Sequence, residues 1–127
     1  MEPRRLNSHR RVAPRGAVDV TLRTGRIVRT PYFRMAYRIG GGPPGVAFLA
    51  GRRVGGAVKR NRAKRVLREA YRTSEADLSG IETLVIVASD RAATARYLEV
   101  RDALWVALRR TSDRVGSSGN GKAAPAA

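Results

Sequence analysis

Residues 57 to 72, Ala-Val-Lys-Arg-Asn-Arg-Ala-Lys-Arg-Val-Leu-Arg-Glu-Ala-Tyr-Arg, place two opposing demands on any fold that contains them. Ala63, Val66, Leu67, Ala70 and Tyr71 recur at i, i+3, i+4, i+7 and i+8, which makes one apolar stripe along a helix. That stripe has to be packed. Asn61, Arg65, Arg68 and Arg72 line another face, flanked by Arg62 and Lys64, and that face has to stay open. Extended back to Arg52, the stretch holds nine basic residues and one acidic residue, Glu69, so it carries +8 of the chain's +16. A free-standing basic arm is excluded by the stripe. A membrane-surface helix would need large apolar anchors opposite the charge, and two alanines, a valine, a leucine and a tyrosine supply little.

A merely solvated helix interleaves Glu with Lys at i and i+4 for support. Here Glu69 stands alone among the basic residues between Lys59 and Arg72. Arginine also outnumbers lysine, and its planar fork matches a phosphate bidentately. Gly51, Gly55 and Gly56 precede the helix, which reads as room for a phosphate to approach the backbone at the helix N-terminus. The partner expected from these residues is a nucleic acid, and RNA is the best candidate.

The whole chain agrees. Its 127 residues fit one domain, and 26 Lys and Arg against 10 Asp and Glu make a surface that attracts polyanions. No run of 18 apolar residues exists, so no spanning helix and no membrane partner are expected. The basic N-terminus lacks the apolar segment of a secretory signal, and the absence of cysteine excludes disulfides and Cys-based metal sites. Cytoplasm is the default compartment.

Residues 1–11 read as a basic arm and 113–127 as a disordered tail low in complexity, leaving 12–112 as the folded domain. Pro14 and Gly25 bracket a short helix over 14–24, with Val18 and Leu22 on one face. A weakly marked strand falls at 26–29. Over 32–39, Phe33, Met35, Tyr37 and Ile39 alternate with Tyr32, Arg34, Ala36 and Arg38, which predicts a strand with one packed face and one wet, positive face. A further strand is placed at 46–52, and the Gly- and Pro-rich segment 40–45 between these two suits a hairpin loop. The apolar run 84–88 predicts a buried strand, and 95–110 a last helix with Val100, Ala103, Leu104, Ala107 and Leu108 on its stripe. The order is α-β-β-β-α-β-α.

The chain lacks the parts of a catalyst. His9, the sole histidine, lies in the arm, and Ser8, Ser74, Ser79 and Ser89 have no base nearby in sequence. Glu75 with Asp77, and Glu99 with Asp102, read as surface charges rather than metal ligands. The 40–45 loop lacks the Lys-Ser/Thr of a phosphate-binding loop, so nucleotide binding is not expected, and no small-molecule substrate is expected either. These residues leave open a ribosomal-type structural RNA-binding protein. A DNA regulator of the helix-turn-helix kind is disfavoured, because no second helix and short turn precede the basic one.

The run Val54-Gly55-Gly56-Ala57-Val58-Lys59-Arg60-Asn61-Arg62-Ala63-Lys64-Arg65-Val66-Leu67-Arg68-Glu69 resembles the bacterial ribonuclease P protein subunit, and the likeness extends loosely over 11–110. The resemblance implies an α/β (α+β) sandwich of two layers, with a four-stranded sheet and a left-handed β-α-β crossover through the basic helix. It implies an accessory subunit of an endoribonuclease whose catalytic centre lies in a large RNA, releasing the 5′ leader of precursor tRNA. Magnesium would be held mainly by that RNA and by the substrate. Arg60, Asn61, Arg62, Lys64, Arg65 and Arg68 would contact the RNA subunit, joined by Lys59 and by Arg52 and Arg53 at the strand end. A cleft between helix 1 and the sheet would hold the leader. Family members often place two phenylalanines there, where this chain has Val18 and Leu22, with Tyr32 and Arg34 on the adjoining strand.

Overall fold

The computed structural model describes residues 12–41 and 44–121, with side chains up to residue 116. The basic arm, His9 and residues 122–127 lie outside the described residues. Helix α1 (Arg15–Thr24) follows Pro14 and stops at Gly25. A Cβ on Gly25 would lie 2.6 Å from the Thr21 carbonyl oxygen and 2.7 Å from that of Tyr37, so only glycine lets the helix end this close to the sheet. Strands β1 (Arg26–Arg29), β2 (Phe33–Ile39) and β3 (Gly45–Ala50) come next. A 3-10 turn (Arg52–Val54) leads into α2 (Ala57–Arg72), then β4 (Ile81–Ala88), α3 (Asp90–Thr94) and α4 (Tyr97–Gly121).

The sheet runs β1-β2-β4-β3, with β4 antiparallel to β2 and parallel to β3. This corrects the hairpin expected between β2 and β3, because β4 lies between them. The reason is apolarity: Leu84, Val85 and Ile86 are all fully buried, so β4 takes a central position and the chain reaches it through the β3-α2-β4 crossover. The architecture is the α+β fold with a four-stranded mixed sheet that the resemblance implies.

Both faces of the sheet are covered. On one, Phe33, Met35, Tyr37, Leu84 and Ile86 pack against Ala63, Leu67, Ala70 and Tyr71 of α2 and Val100, Leu104 and Leu108 of α4. On the other, Val18 of α1 and Ala13 pack over Val85. The wet face predicted for 32–39 is therefore only partly wet. Arg34 is exposed and Arg38 half-buried, but Ala36 is fully buried because α1 packs against β2 on that side. Ile39, expected on the packed face, is 45% exposed at the strand end.

The last helix begins later and runs further than periodicity indicated. Residues 90–94, to which the sequence pattern assigned no element, form α3; five residues are too few to display a 3.6-residue period. Helix α4 continues to Gly121, so the boundary drawn at 113 falls inside a helix. Thr111 and Val115 are buried, and the Ser112 hydroxyl donates to the Asp77 carbonyl oxygen, which holds this extra length against the α2–β4 connection. In that connection the Ser79 amide and hydroxyl both donate to Asp77, and these bonds hold its carboxyl below the ordinary value. The Trp105 indole N–H donates to the Ala70 carbonyl at 2.9 Å and ties α4 to α2.

Candidate nucleic-acid interface

The entry to α2 is built to present charge. The 3-10 turn buries Val54 and leaves Arg52 and Arg53 exposed. Gly55 then takes φ +134°, where an L side chain is strained, and a Cβ there would meet Lys59 Cδ at 2.8 Å. Gly51 and Gly56 are extended with open space around them, so only one of the three glycines singled out in the sequence is required by the backbone. We expect Gly55→Ala to cost about 1–3 kcal/mol in denaturant unfolding, against less than about 0.5 kcal/mol for Gly51→Ala. Equal effects would mean that the turn is not strained at Gly55.

Among the described residues no side chain caps the N-terminus of α2, and its first turn holds no acidic residue. Its free N–H groups and the positive end of the helix dipole thus lie beside Arg52, Arg53 and Lys59, an arrangement that favours an anion.

Along α2 the stripe and the open face divide as the periodicity requires. Ala63, Leu67, Ala70 and Tyr71 are buried and Val66 is partly buried. Burial pushes the Tyr71 phenol above its usual pKa, so it stays neutral. Lys59, Asn61, Arg62, Arg65 and Arg68 are exposed, while Arg60 and Lys64 are half-buried on the flanks. Two arginines do more than face outward. The Arg62 Nε–H donates to the Ala93 carbonyl at 2.8 Å, tying α2 to α3 and leaving the rest of its guanidinium for a ligand. The Arg68 guanidinium lies 5.5 Å from the centroid of Phe48, whose ring meets Tyr71 edge-on at 5.7 Å. Arg72 is paired with Glu69 at 2.7 Å, an exposed contact worth about 0.3–0.5 kcal/mol.

A cleft of about 770 Å³ opens where β3 and β4 end. Arg29 and Arg34 reach it from the β1–β2 pair, Arg52 and Arg53 from the turn, and Ser89 and Asp90 from the start of α3. Arg29 and Arg34 are direct cross-strand partners, and like charges so placed cost stability that a bound phosphate would recover. Arg29 was not among the residues expected from the sequence. Its signal is the register, which is readable only once β1 and β2 are known to pair.

Three of the four residues expected to form a leader cleft share one side of the sheet: Val18 and Leu22 belong to the cluster of Val85 and Val87, and Arg34 is the cross-strand partner of Val87. Val18 is buried and Leu22 partly buried beneath α1, packed with Val85, Ala47, Leu49 and Val87. Tyr32 leans on the main core, and its carbonyl accepts the Ser89 N–H at 2.9 Å beside the strand-end cleft. Arg34 alone lines that cleft, together with Arg52 and Arg53. Among the described residues no group of three or more His, Cys, Asp or Glu side chains is placed to hold a metal, and no helix is long and apolar enough to cross a membrane.

The comparisons with known proteins agree with this geometry. The family model described as Ribonuclease P matches residues 6–112. The ribonuclease P protein component of Xanthomonas euvesicatoria is 38% identical over 108 residues, covering 84% of this chain and 74% of that protein. The protein of the same description from Desulforapulum autotrophicum is 37% identical over 84 residues, covering 65% of this chain and 71% of its own length. Among solved structures, the RNase P protein of Thermotoga maritima superposes with a TM-score of 0.69 at 23% identity, over 79% of this chain and 96% of that one. The Staphylococcus aureus RNase P protein gives 0.66 at 17% identity, over 80% and 94%. Those two likenesses establish the shared fold, while the family model spans the whole basic turn, α2 and β4. On that evidence the chain belongs to the ribonuclease P protein component family.

Proposed function

We propose that this chain is the protein subunit of ribonuclease P. It binds the catalytic RNA and the 5′ leader of precursor tRNA, and it assists metal-dependent removal of the leader in tRNA 5′ maturation. The observation that carries the reading is α2, whose apolar stripe is locked onto the sheet while Arg60, Asn61, Arg62, Lys64, Arg65 and Arg68 face away from the core or along its flanks. In this reading α2 and the Arg52–Arg53 turn meet the RNA subunit, and the strand-end cleft with Arg29 and Arg34 takes the phosphates of a single strand.

Magnesium belongs with the RNA and substrate. The donor set of the cleft, four arginines around the single carboxylate of Asp90, does not fit a divalent cation held by the protein. What the chain's own residues supply is charge neutralisation and positioning.

The test is reconstitution. Added to a bacterial ribonuclease P RNA at low magnesium, the intact chain should stimulate 5′ leader release from precursor tRNA. By itself it should cleave nothing at any magnesium concentration. Arg60→Ala with Arg65→Ala should abolish the stimulation and leave the fold intact. Arg62 is a poorer probe, because its bond to Ala93 makes its loss partly structural. RNA binding without any stimulation would sink this reading and favour the ribosomal-type alternative. Cleavage by the nuclease-treated chain would overturn the division of labour.

A further inference from the structure

The single tryptophan of the chain is on α4 rather than on the basic helix. Arg101, Trp105 and Arg109 stand at i, i+4 and i+8, so they form one row along α4. The indole is fixed from two directions: its N–H is bonded to the Ala70 carbonyl, and the Arg101 guanidinium lies 4.4 Å from its ring centroid. Arg101 is itself held by the Asp102 carboxylate at 2.8 Å. Trp105 and Arg109 also line a cleft of about 530 Å³ with Thr73, Ser74, Glu75 and Ala76, where the end of α2 meets α4. Among the described residues, neither Glu75 nor Arg109 has an ion-pair or hydrogen-bond partner. A tie between two helices requires the indole N–H; it does not require an uncommitted cation and an uncommitted carboxylate beside the ring.

Each of these groups suits a different part of a nucleotide. An aromatic wall takes the face of a base, a carboxylate accepts from an exocyclic amino group, and a guanidinium takes a phosphate. The place is suited as well: Arg72 ends the open face of α2, and the next residue, Thr73, lines the cleft. A strand lying along α2 therefore runs into it.

We propose that this cleft is a second RNA contact, which captures one unpaired, amino-bearing nucleobase and its phosphate from a strand leaving the basic helix. The inference rests on the RNA-binding reading above and adds a site to it.

Because Trp105 is the sole tryptophan, all tryptophan fluorescence of the chain arises at this one position. The intact chain is titrated with octamers of adenylate, of uridylate and of abasic ribose phosphate, while the anisotropy of end-labelled RNA reads total binding. Adenylate should quench Trp105, uridylate should do so more weakly, and the abasic octamer should lose roughly 5- to 150-fold in the affinity read by quenching. Arg109→Gln and Glu75→Gln, at unpartnered exposed positions, should each shift the quenching midpoint about tenfold and spare the fold. Separate titrations with the ribonuclease P RNA and with precursor tRNA identify which one supplies the base. RNA binding seen by anisotropy with no change at Trp105 overturns this site and leaves the RNA-binding reading intact. Quenching that both variants leave unaltered assigns the signal to the α2–α4 tie and also overturns it. No binding by either readout removes both proposals.

Discussion

Raising the salt from 50 to 200 mM should weaken binding of the intact chain to RNA by about 10³–10⁵-fold, the response expected when about 6–10 phosphates are neutralised on a duplex-like target. The structure supports at least the lower end of that phosphate count. Among the described residues, Arg72 alone on α2 is committed to an ion pair, with Glu69, while Arg52, Arg53, Lys59, Arg60, Lys64 and Arg65 have no acidic partner there. Their charges are compensated by mobile counterions in the free protein, and RNA releases those counterions on binding. The check is a series of affinities against salt, read as a log–log slope. A flat slope would remove the electrostatic argument altogether, whatever the affinity at one salt concentration.

Replacing Leu67 by Ala should cost about 2–5 kcal/mol of folding stability, a large share of the roughly 5–15 kcal/mol available to a domain of this kind. Leu67 is fully buried on the stripe of α2, in the same cluster as Met35, Ile86 and Leu104. Its removal leaves a cavity between the helix and the sheet, among buried side chains of the same cluster. Denaturant unfolding measures the cost directly. Val58, in the first turn of α2 and outside that core, offers the contrast. At 82% exposure, its substitution by Ala should change stability by less than about 0.5 kcal/mol. A Leu67→Ala variant as stable as the parent would mean that α2 is not seated as described.

The two faces of α2 show how much was legible beforehand. The stripe from Ala63 to Tyr71 and the charged face around Arg65 follow from the order of residues alone, and both stand in the structure as read. The bounds of β1 and the start of α2 at Ala57 were legible for the same local reason. What was not legible depends on partners distant in sequence. Nothing in Arg62 announces that its Nε–H bonds the Ala93 carbonyl, 31 residues away, and nothing in Ala36 announces that α1 covers it. The short α3 and the extra length of α4 escaped because their support comes from buried contacts such as Val115 rather than from a long periodic pattern.

The sequence by itself determined that a helix over 57–72 would bury one side and offer arginine and asparagine on the other, because side-chain direction in a helix repeats every 3.6 residues whatever lies nearby. It equally determined a strongly basic chain suited to a polyanion. Only the tertiary structure decided that β4 separates β2 from β3, and that Arg29 and Arg34 share one cleft with Arg52 and Arg53. It alone brought Trp105 to the end of α2. These are long-range pairings, set by which apolar faces bury one another best, and no local period encodes them.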